Sequence, residues 1–350
     1  MSMEWPDEET SRRVAHLIMA CAGPIDQLSM PTPLSGALQI ATYQILKSHS
    51  ESRMREEEIT SRLSGAYASS TTWVLECLQA WQTHGLDLFS YDKYGTSKNS
   101  ESYRGADFSL VVRFGNDFAR ASIFQAKVTE SANEVWVHRI APFIAAKDGL
   151  PEKLPDPQTL RLAEYGLELS SSSAEEDLDW IHLCAYSPSS FYCIPLNEAL
   201  SLITSYKKTR SAIETELKKY REDNKNERKI SSLLRNEAER LYRRYDKFAL
   251  SRTAHTIELV HLLAAGASIK PDLKAPGWLN LASADEIKDF KEKCPPEVRI
   301  IELSGSAAPS PSPSHPIVDS LNQAQAGYPS TMDFNPVQNL DATARPRPGA

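Results

Sequence analysis

The stretch Asp107-Phe108-Ser109-Leu110-Val111-Val112-Arg113-Phe114 is followed, beyond Gly115-Asn116-Asp117, by Ala121-Ser122-Ile123-Phe124-Gln125-Ala126-Lys127-Val128. In the first segment every even-numbered residue is apolar, while Asp107, Ser109 and Arg113 hold odd positions. That period of two describes a strand with one face on a core. In the second segment the alternation is weaker, but Phe124, Ala126 and Val128 share one face and Gln125 and Lys127 the other. Gly-Asn-Asp suits a hairpin turn. Together the two segments predict one β-hairpin, and with it a sheet.

The register follows from the loop length. A three-residue loop closed by Phe114 and Phe118 places Asp107 opposite Gln125, both on the polar face, with the two apolar faces also matched. A two-residue loop would slip the pairing by one and bury the carboxylate among Phe and Leu, at a cost of several kcal/mol. Opposed side chains lie about 5 Å apart at Cβ, and Lys127 sits about 7 Å further along the strand. A carboxylate, an amide oxygen and an ammonium are thus predicted within reach of one small cation and its water, a grouping suited to phosphodiester chemistry.

A chain of 350 residues with ordinary apolar content can bury a large core, and its net charge of -7 says little because the acid is unevenly placed. Cys21, Cys77, Cys184, Cys193 and Cys294 show no CxxC spacing and form an odd set, which predicts reduced thiols in a cytosolic protein and argues against a structural zinc site. Met1 to Thr10 is acidic and lacks a basic segment followed by an apolar one, so no signal peptide is expected. No apolar run approaches the roughly 18 residues of a membrane span. A soluble, cytoplasmic protein with no membrane partner is expected.

Periodicity predicts helices over 9–22, 35–48, 53–67 and 72–83, a strand over 86–91, a polar loop over 92–104, a strand over 134–140 and a helix over 158–169. Residues 170–176 read as a linker. Trp180–Tyr186 and Phe191–Leu196, joined by Ser187-Pro188-Ser189-Ser190, read as a second hairpin extending the sheet. From Asn197 to about Ala265 the sequence reads as helical and mostly charged, with residues 251–263 as an amphipathic helix. A short helix over 283–293, opened by Ser283 and Glu286 at capping-box spacing, and a strand over 298–303 close the ordered part. Beyond Ser304 the Pro-Ser repeats and the Gln, Asn and Pro-rich tail cannot offset their ordering entropy, so 305–350 is expected to be disordered.

Glu101-Ser-Tyr-Arg-Gly-Ala-Asp107, the apolar strand after it and Ile123-Phe124-Gln125-Ala126-Lys127 resemble the PD-(D/E)XK nuclease superfamily, in the Q-x-K branch similar to Mrr-type restriction enzymes. The resemblance covers roughly residues 55–196. It implies an α/β fold of restriction-endonuclease type, a central mixed sheet flanked by helices. It also implies Mg²⁺ or Mn²⁺ as cofactor, with Asp107, Gln125 and the Ala126 carbonyl as ligands and Lys127 acting on the attacking water. Gln125 stands where a carboxylate is commoner, which lowers the site's negative charge and asks for another acid.

The resemblance places that acid on a helix beside the hairpin, and Arg55-Glu56-Glu57-Glu58-Ile59-Thr60 is similar to the stretch that carries it. At about 100° per residue, Glu56 lies within about 60° of the stripe Ile59, Leu63 and Ala66, whereas Glu57 falls nearly opposite and Glu58 to the other side. Glu56 is therefore the candidate, with Glu101 as the second. The plainer reading of Glu56–Glu58 is an acidic first turn favoured by the helix dipole.

Residues 205–250 hold 14 Lys and Arg against 8 Asp and Glu. Lys207, Lys208, Arg210, Arg240, Arg243 and Arg244 could track phosphates, with tyrosines interleaved. A long solvated helical pair is the competing explanation. His255 and His261 are too poorly phased to pair on a metal, and no GxSxG, Walker loop, GxGxxG or HExxH occurs.

The expected organisation is a helical segment over 1–50, a nuclease-like core over 51–196, a basic helical region over 197–304 and the tail. The expected function is Mg²⁺-dependent DNA cleavage, in the prokaryotic anti-phage setting that the resemblance suggests, with dimerisation as the family's usual route to cutting two strands. The competing classes are a non-cutting nucleic-acid-binding or scaffold protein of the same fold, and a helical adaptor that meets a protein partner through its tail.

Overall fold

In the computed structural model, which describes residues 5–23, 31–78, 84–92, 100–137, 150, 154, 157–170, 177–222, 228–245, 248–295 and 297–302, the hairpin forms in the three-residue register. Strand β2 (Phe108–Phe114) pairs antiparallel with β3 (Ala119–Val128), Phe108 opposite Phe124 and Ser109 opposite Ile123. The Phe114 N–H donates to the Phe118 carbonyl at 2.8 Å and closes the loop, where Gly115 takes a φ of 90° that a side chain would strain.

Around this pair the chain builds an eight-stranded mixed sheet. The other strands are β1 (His84–Ser90), β5 (Ile181–Tyr186), β6 (Phe191–Pro195), β8 (Ile257–Glu258), β9 (Leu279–Leu281) and β10 (Glu297–Glu302), in the order β10-β1-β2-β3-β5-β6-β8. The β3–β5 pairing is parallel, reached by a crossover that includes helix α5 (Gln158–Ser170); the other pairings are antiparallel. Strand β3 changes partner along its length, β9 on Ala119–Ala121 and β5 from Ile123 to Val128. The sheet therefore draws strands from beyond residue 196. Strands β4 (Glu134–Val137) and β7 (Phe248–Ser251) form a separate two-stranded ribbon.

Both faces of the sheet are covered. The even-numbered residues Leu110, Val112, Phe124 and Ala126 pack with Ile59, Leu63 and Tyr67 of α3 (Glu56–Leu78), Leu34 and Leu38 of α2 (Pro33–Ser52) and Leu262 and Leu263 of α8 (Leu259–Ser268). The odd-numbered face, read from sequence as a polar flank, is a second core: Val111, Ala121 and Ile123 pack against Leu160, Leu162 and Ala163 of α5 and Phe290 of α9 (Ala284–Lys293). Ser109 is carried into it; Ser122, buried on the even-numbered face across from Leu110, donates its Oγ hydrogen to the Trp180 carbonyl at 2.9 Å. Full burial of each large apolar side chain contributes about 1.5–3 kcal/mol, so the two layers dominate the stability. A third cluster joins α1 (Glu8–Ala22) to α2 and α3 through Val14, Ile18, Ala37 and Val74.

Two sequence expectations are corrected here. Residues 53–67 and 72–83 do not form separate helices: α3 runs unbroken to Leu78, because Tyr67, Thr71 and Val74 continue one buried stripe. Residues 251–263 are not one helix, since Ile257 and Glu258 are drawn into pairing with Cys193 and Tyr192, and α8 begins only at Leu259. At 283–293 the expected cap forms, Ser283 Oγ accepting the Glu286 N–H at 3.2 Å, while the Glu286 carboxylate reaches Ala282 rather than Ser283. Of the linker expected at 170–176, Ser170 ends α5 and the rest lies outside the described residues, as do the tail at 305–350, most of the 92–104 loop and the end of the 134–140 strand. None of the five cysteines is in a disulfide. Among the described residues no helix is long and apolar enough to cross a membrane.

His182 on β5 gives a pH handle on the fold. Its Nε2–H donates to the Gly277 carbonyl at 2.9 Å, its ring stacks on Phe124, and Nδ1 is buried without a partner. Burial pushes the imidazole down to about 4. The unfolded chain then binds a proton below its ordinary value of about 6.5 while the folded chain refuses it until about 4. The contribution is complete above pH 6.5 and is lost as pH falls towards 4, on the order of 3 kcal/mol in all. His182→Gln should flatten the stability difference between pH 7 and pH 4.5 measured by urea denaturation. A wild-type and variant with parallel profiles would refute the assignment; comparing the two cancels the opposing contribution of Asp107.

Candidate active site

Asp107 lies one residue before β2, and the backbone fixes it from both sides. Its N–H donates to the Phe124 carbonyl at 2.9 Å, and its carbonyl accepts the Tyr91 N–H at 3.0 Å. Continuing the β2–β3 register by one step places it across from Gln125. Just upstream, the one-turn helix α4 (Glu101–Arg104) ends at Gly105, whose φ is 78°. A Cβ at Gly105 would meet the Gln158 carbonyl at 2.5 Å, so glycine is required for α4 to lie against the start of α5. Arg104 secures that contact, ion-paired with Glu168 and stacked 4.4 Å over the Tyr165 ring.

The carboxylate Oδ2 of Asp107 accepts the Ala126 N–H at 2.6 Å. Lys127 Nζ donates to the Ala126 carbonyl at 2.7 Å and to Glu56 Oε1 at 3.1 Å. Glu56 opens α3. Arg53, with a φ of 44°, ends α2, and the Met54 N–H donates to His49 Nδ1 at 3.0 Å, so the chain turns sharply and presents the first turn of α3 to the end of β3. Glu57 and Glu58 point outward, Glu58 pairing with Arg62 at 2.6 Å. Of the three adjacent acids, Glu56 is the one brought to Lys127.

The electrostatics are tightly coupled. Removal from water pushes the Asp107 carboxyl up to about 8; the Lys127 ammonium pulls it down, the charges of Glu101 and Glu56 add to the rise, and the Ala126 N–H opposes it. Glu101, half-buried, accepts a hydrogen bond from Gln158 Nε2 at 3.2 Å. Gln158 is a part of this surround that the sequence did not reveal, since nothing local links it to a residue so far upstream.

Gln125 is wholly buried, and neither its Oε1 nor its Nε2 has a protein partner. An unpaired buried amide costs about 1–3 kcal/mol per group, an expense that a ligand at the site would offset. Among the described residues no three His, Cys, Asp or Glu side chains are grouped to hold a metal by themselves. A cation here would depend on amide and carbonyl oxygens beside the carboxylates, a donor set that hard divalent ions accept.

The basic region forms two helices in contact with each other, α6 (Leu200–Glu222) and α7 (Arg228–Tyr245), whose Ile213, Leu217, Leu234, Ala238 and Leu241 belong to one core cluster. Several of its cations are matched on their own helix: Arg210 with Glu214 at 2.8 Å, Lys219 with Glu216 at 2.8 Å and Arg235 with Glu239 at 3.1 Å. Lys208, Arg240 and Arg243 are exposed, Lys207 is half-buried, and the Arg244 side chain lies outside the described residues. His255 is exposed, 4.0 Å from Glu198, and His261 is on α8, so the two do not form a pair.

Comparison with protein-family models, with curated proteins and with solved structures gives no match for this chain.

Proposed function

We propose that this protein is a divalent-cation-dependent nuclease of the PD-(D/E)XK, restriction-endonuclease-like kind, hydrolysing phosphodiester bonds in DNA, with prokaryotic anti-phage defence as its setting. The observation that carries the proposal is the register: Asp107, Gln125 and Lys127 meet at one end of the sheet, with the Asp107 carboxylate on the Ala126 N–H and Glu56 on Lys127.

The residues fit Mg²⁺ or Mn²⁺. Asp107, Gln125 Oε1, the Ala126 carbonyl and Glu56 would hold it, and the partnerless buried amide of Gln125 is the clearest sign of a missing ligand. When bound, such an ion supplies Lewis-acid polarisation of a phosphate and lowers the pKa of a water. The chain's own groups do the rest. Lys127 Nζ donates to a non-bridging phosphate oxygen and positions the attacking water. Without substrate Glu56 holds that nitrogen at the site, and the Ala126 N–H orients the Asp107 carboxylate. Nicking of supercoiled plasmid tests the proposal: cleavage with Mg²⁺ that stops with a chelator supports it, and no cleavage under any divalent ion opposes it.

The exposed face of α6 and α7 is the proposed phosphate track. Lys208→Gln, Arg240→Gln and Arg243→Gln together should lower the slope of log affinity against log salt for duplex DNA by about 3, as three lost phosphate contacts require. Fluorescence anisotropy over a salt series measures it, and an unchanged slope would move the DNA elsewhere.

A non-cutting nucleic-acid-binding or scaffold role is favoured by one observation, the amide at Gln125 in place of a carboxylate. Saturable DNA binding without divalent-dependent nicking would select it.

A further inference from the structure

Building on the proposed cation site, we infer that the Lys127 ammonium is the site's own resident cation, and that a divalent ion enters when a substrate phosphate draws this ammonium away. Lys127 Nζ lies 2.7 Å from the Ala126 carbonyl oxygen and 3.1 Å from Glu56 Oε1, and both oxygens belong to the donor set proposed for the metal. The ammonium therefore sits where those oxygens converge, and it neutralises Glu56 in a setting where each side chain keeps only 20% of its surface.

Two cations cannot share these oxygens. Positive charges a few ångströms apart repel strongly in a partly desolvated pocket. A divalent ion arriving alone meets an occupied site and binds weakly. A phosphate on DNA offers the ammonium a stronger, charge-assisted partner. Once Lys127 turns to it, Glu56 and the Ala126 carbonyl are released. Binding of metal and binding of DNA then reinforce each other, and by linkage the reinforcement is the same in both directions. Lys127 becomes both the gate of the cation site and the group that meets the phosphate. The order of events follows from the pairing: a chain without substrate is held in an idle state by its own side chain.

The test is calorimetric titration of the full chain with Ca²⁺, which shares the preference for oxygen ligands, with and without a phosphorothioate duplex. Wild type should bind Ca²⁺ weakly alone and at least about tenfold more tightly with the duplex, a coupling of typical allosteric size. Lys127→Met should bind Ca²⁺ alone at least about tenfold more tightly than wild type, with the duplex adding less than about threefold. Lys127→Arg, which keeps a cation in place, should retain the coupling; circular dichroism checks that each variant is folded. Lys127→Met binding Ca²⁺ no better than wild type, or retaining the full effect of the duplex, overturns the displacement while leaving the cation site standing. No saturable Ca²⁺ binding by any of the three proteins, even with duplex, overturns the cation site and the displacement together.

Discussion

Asp107→Asn and Lys127→Met are each expected to cut the rate of Mg²⁺-dependent plasmid nicking by on the order of 10³-fold, because each removes a group that acts on the reacting centre. The two losses differ in kind. Asp107→Asn takes away the carboxylate that accepts the Ala126 N–H and would ligate the cation, so raising Mg²⁺ should restore part of the rate. Lys127→Met leaves every proposed ligand in place, and excess Mg²⁺ should restore nothing. Both substitutions are near-isosteric, and neither residue is part of an apolar core cluster, so thermal stability should hold within a few degrees. Single-turnover rates over a range of Mg²⁺ concentrations make the distinction. Activity within about threefold of wild type for either variant would remove that residue from the chemistry.

The largest effect on folding is expected at Arg120. Its guanidinium, wholly buried, donates to the carbonyls of Gly266, Lys270 and Leu273 at 3.1, 2.7 and 2.9 Å, and also to that of Ile269. These are the end of α8 and the turn beyond it, where helix carbonyls run out of partners and the dipole is negative. Phe114 and Phe118 lie 5.0 and 5.5 Å from the same group. Burial pulls even this guanidinium down to about 10, yet it stays charged at neutral pH. Arg120→Ala orphans four carbonyls at once, at about 1–3 kcal/mol each before relaxation and water entry. A loss of at least about 4 kcal/mol is expected, within the range for breaking a buried charged network. Arg120→Lys, which cannot fork to several acceptors, should recover less than half. Urea denaturation measures both, and a loss under about 1 kcal/mol for the alanine variant would contradict this role.

What the sequence made legible was local. Alternation in Phe108–Phe114 and the Gly115 turn specify the hairpin and its register because a one-residue slip exchanges the two faces, and the observed pairing of Phe108 with Phe124 agrees. The helical phase of Glu56 relative to Ile59 and Leu63 likewise needs only the 3.6-residue period, and Glu56 is the acid found at Lys127. What was hidden depends on distant segments. That the odd-numbered face of the hairpin would be covered by α5 and α9 has no trace in residues 107–128 beyond Val111, Ala121 and Ile123. Arg120, just past the polar turn Gly115-Asn116-Asp117, reads as a surface charge until α8 is placed beside it. Short strands such as Ile257–Glu258 are set by their neighbour on β6, against the helical pattern of their own sequence. The basic run could be read either as a phosphate track or as a self-paired helix, and the ion pairs of Arg210, Lys219 and Arg235 show that much of its charge is matched locally.

The central claim is that Asp107, Gln125 and Ala126 present their oxygens to one divalent ion beside Lys127. Its most direct measurement is anomalous diffraction from crystals of the protein grown with Mn²⁺ and a phosphorothioate duplex. The account predicts a single strong peak within about 2.5 Å of the Asp107 carboxylate, Gln125 Oε1 and the Ala126 carbonyl, with Lys127 Nζ turned from Glu56 towards a phosphate. A map with DNA bound and no manganese at these oxygens, or with Lys127 still on Glu56 beside an occupied site, would contradict it.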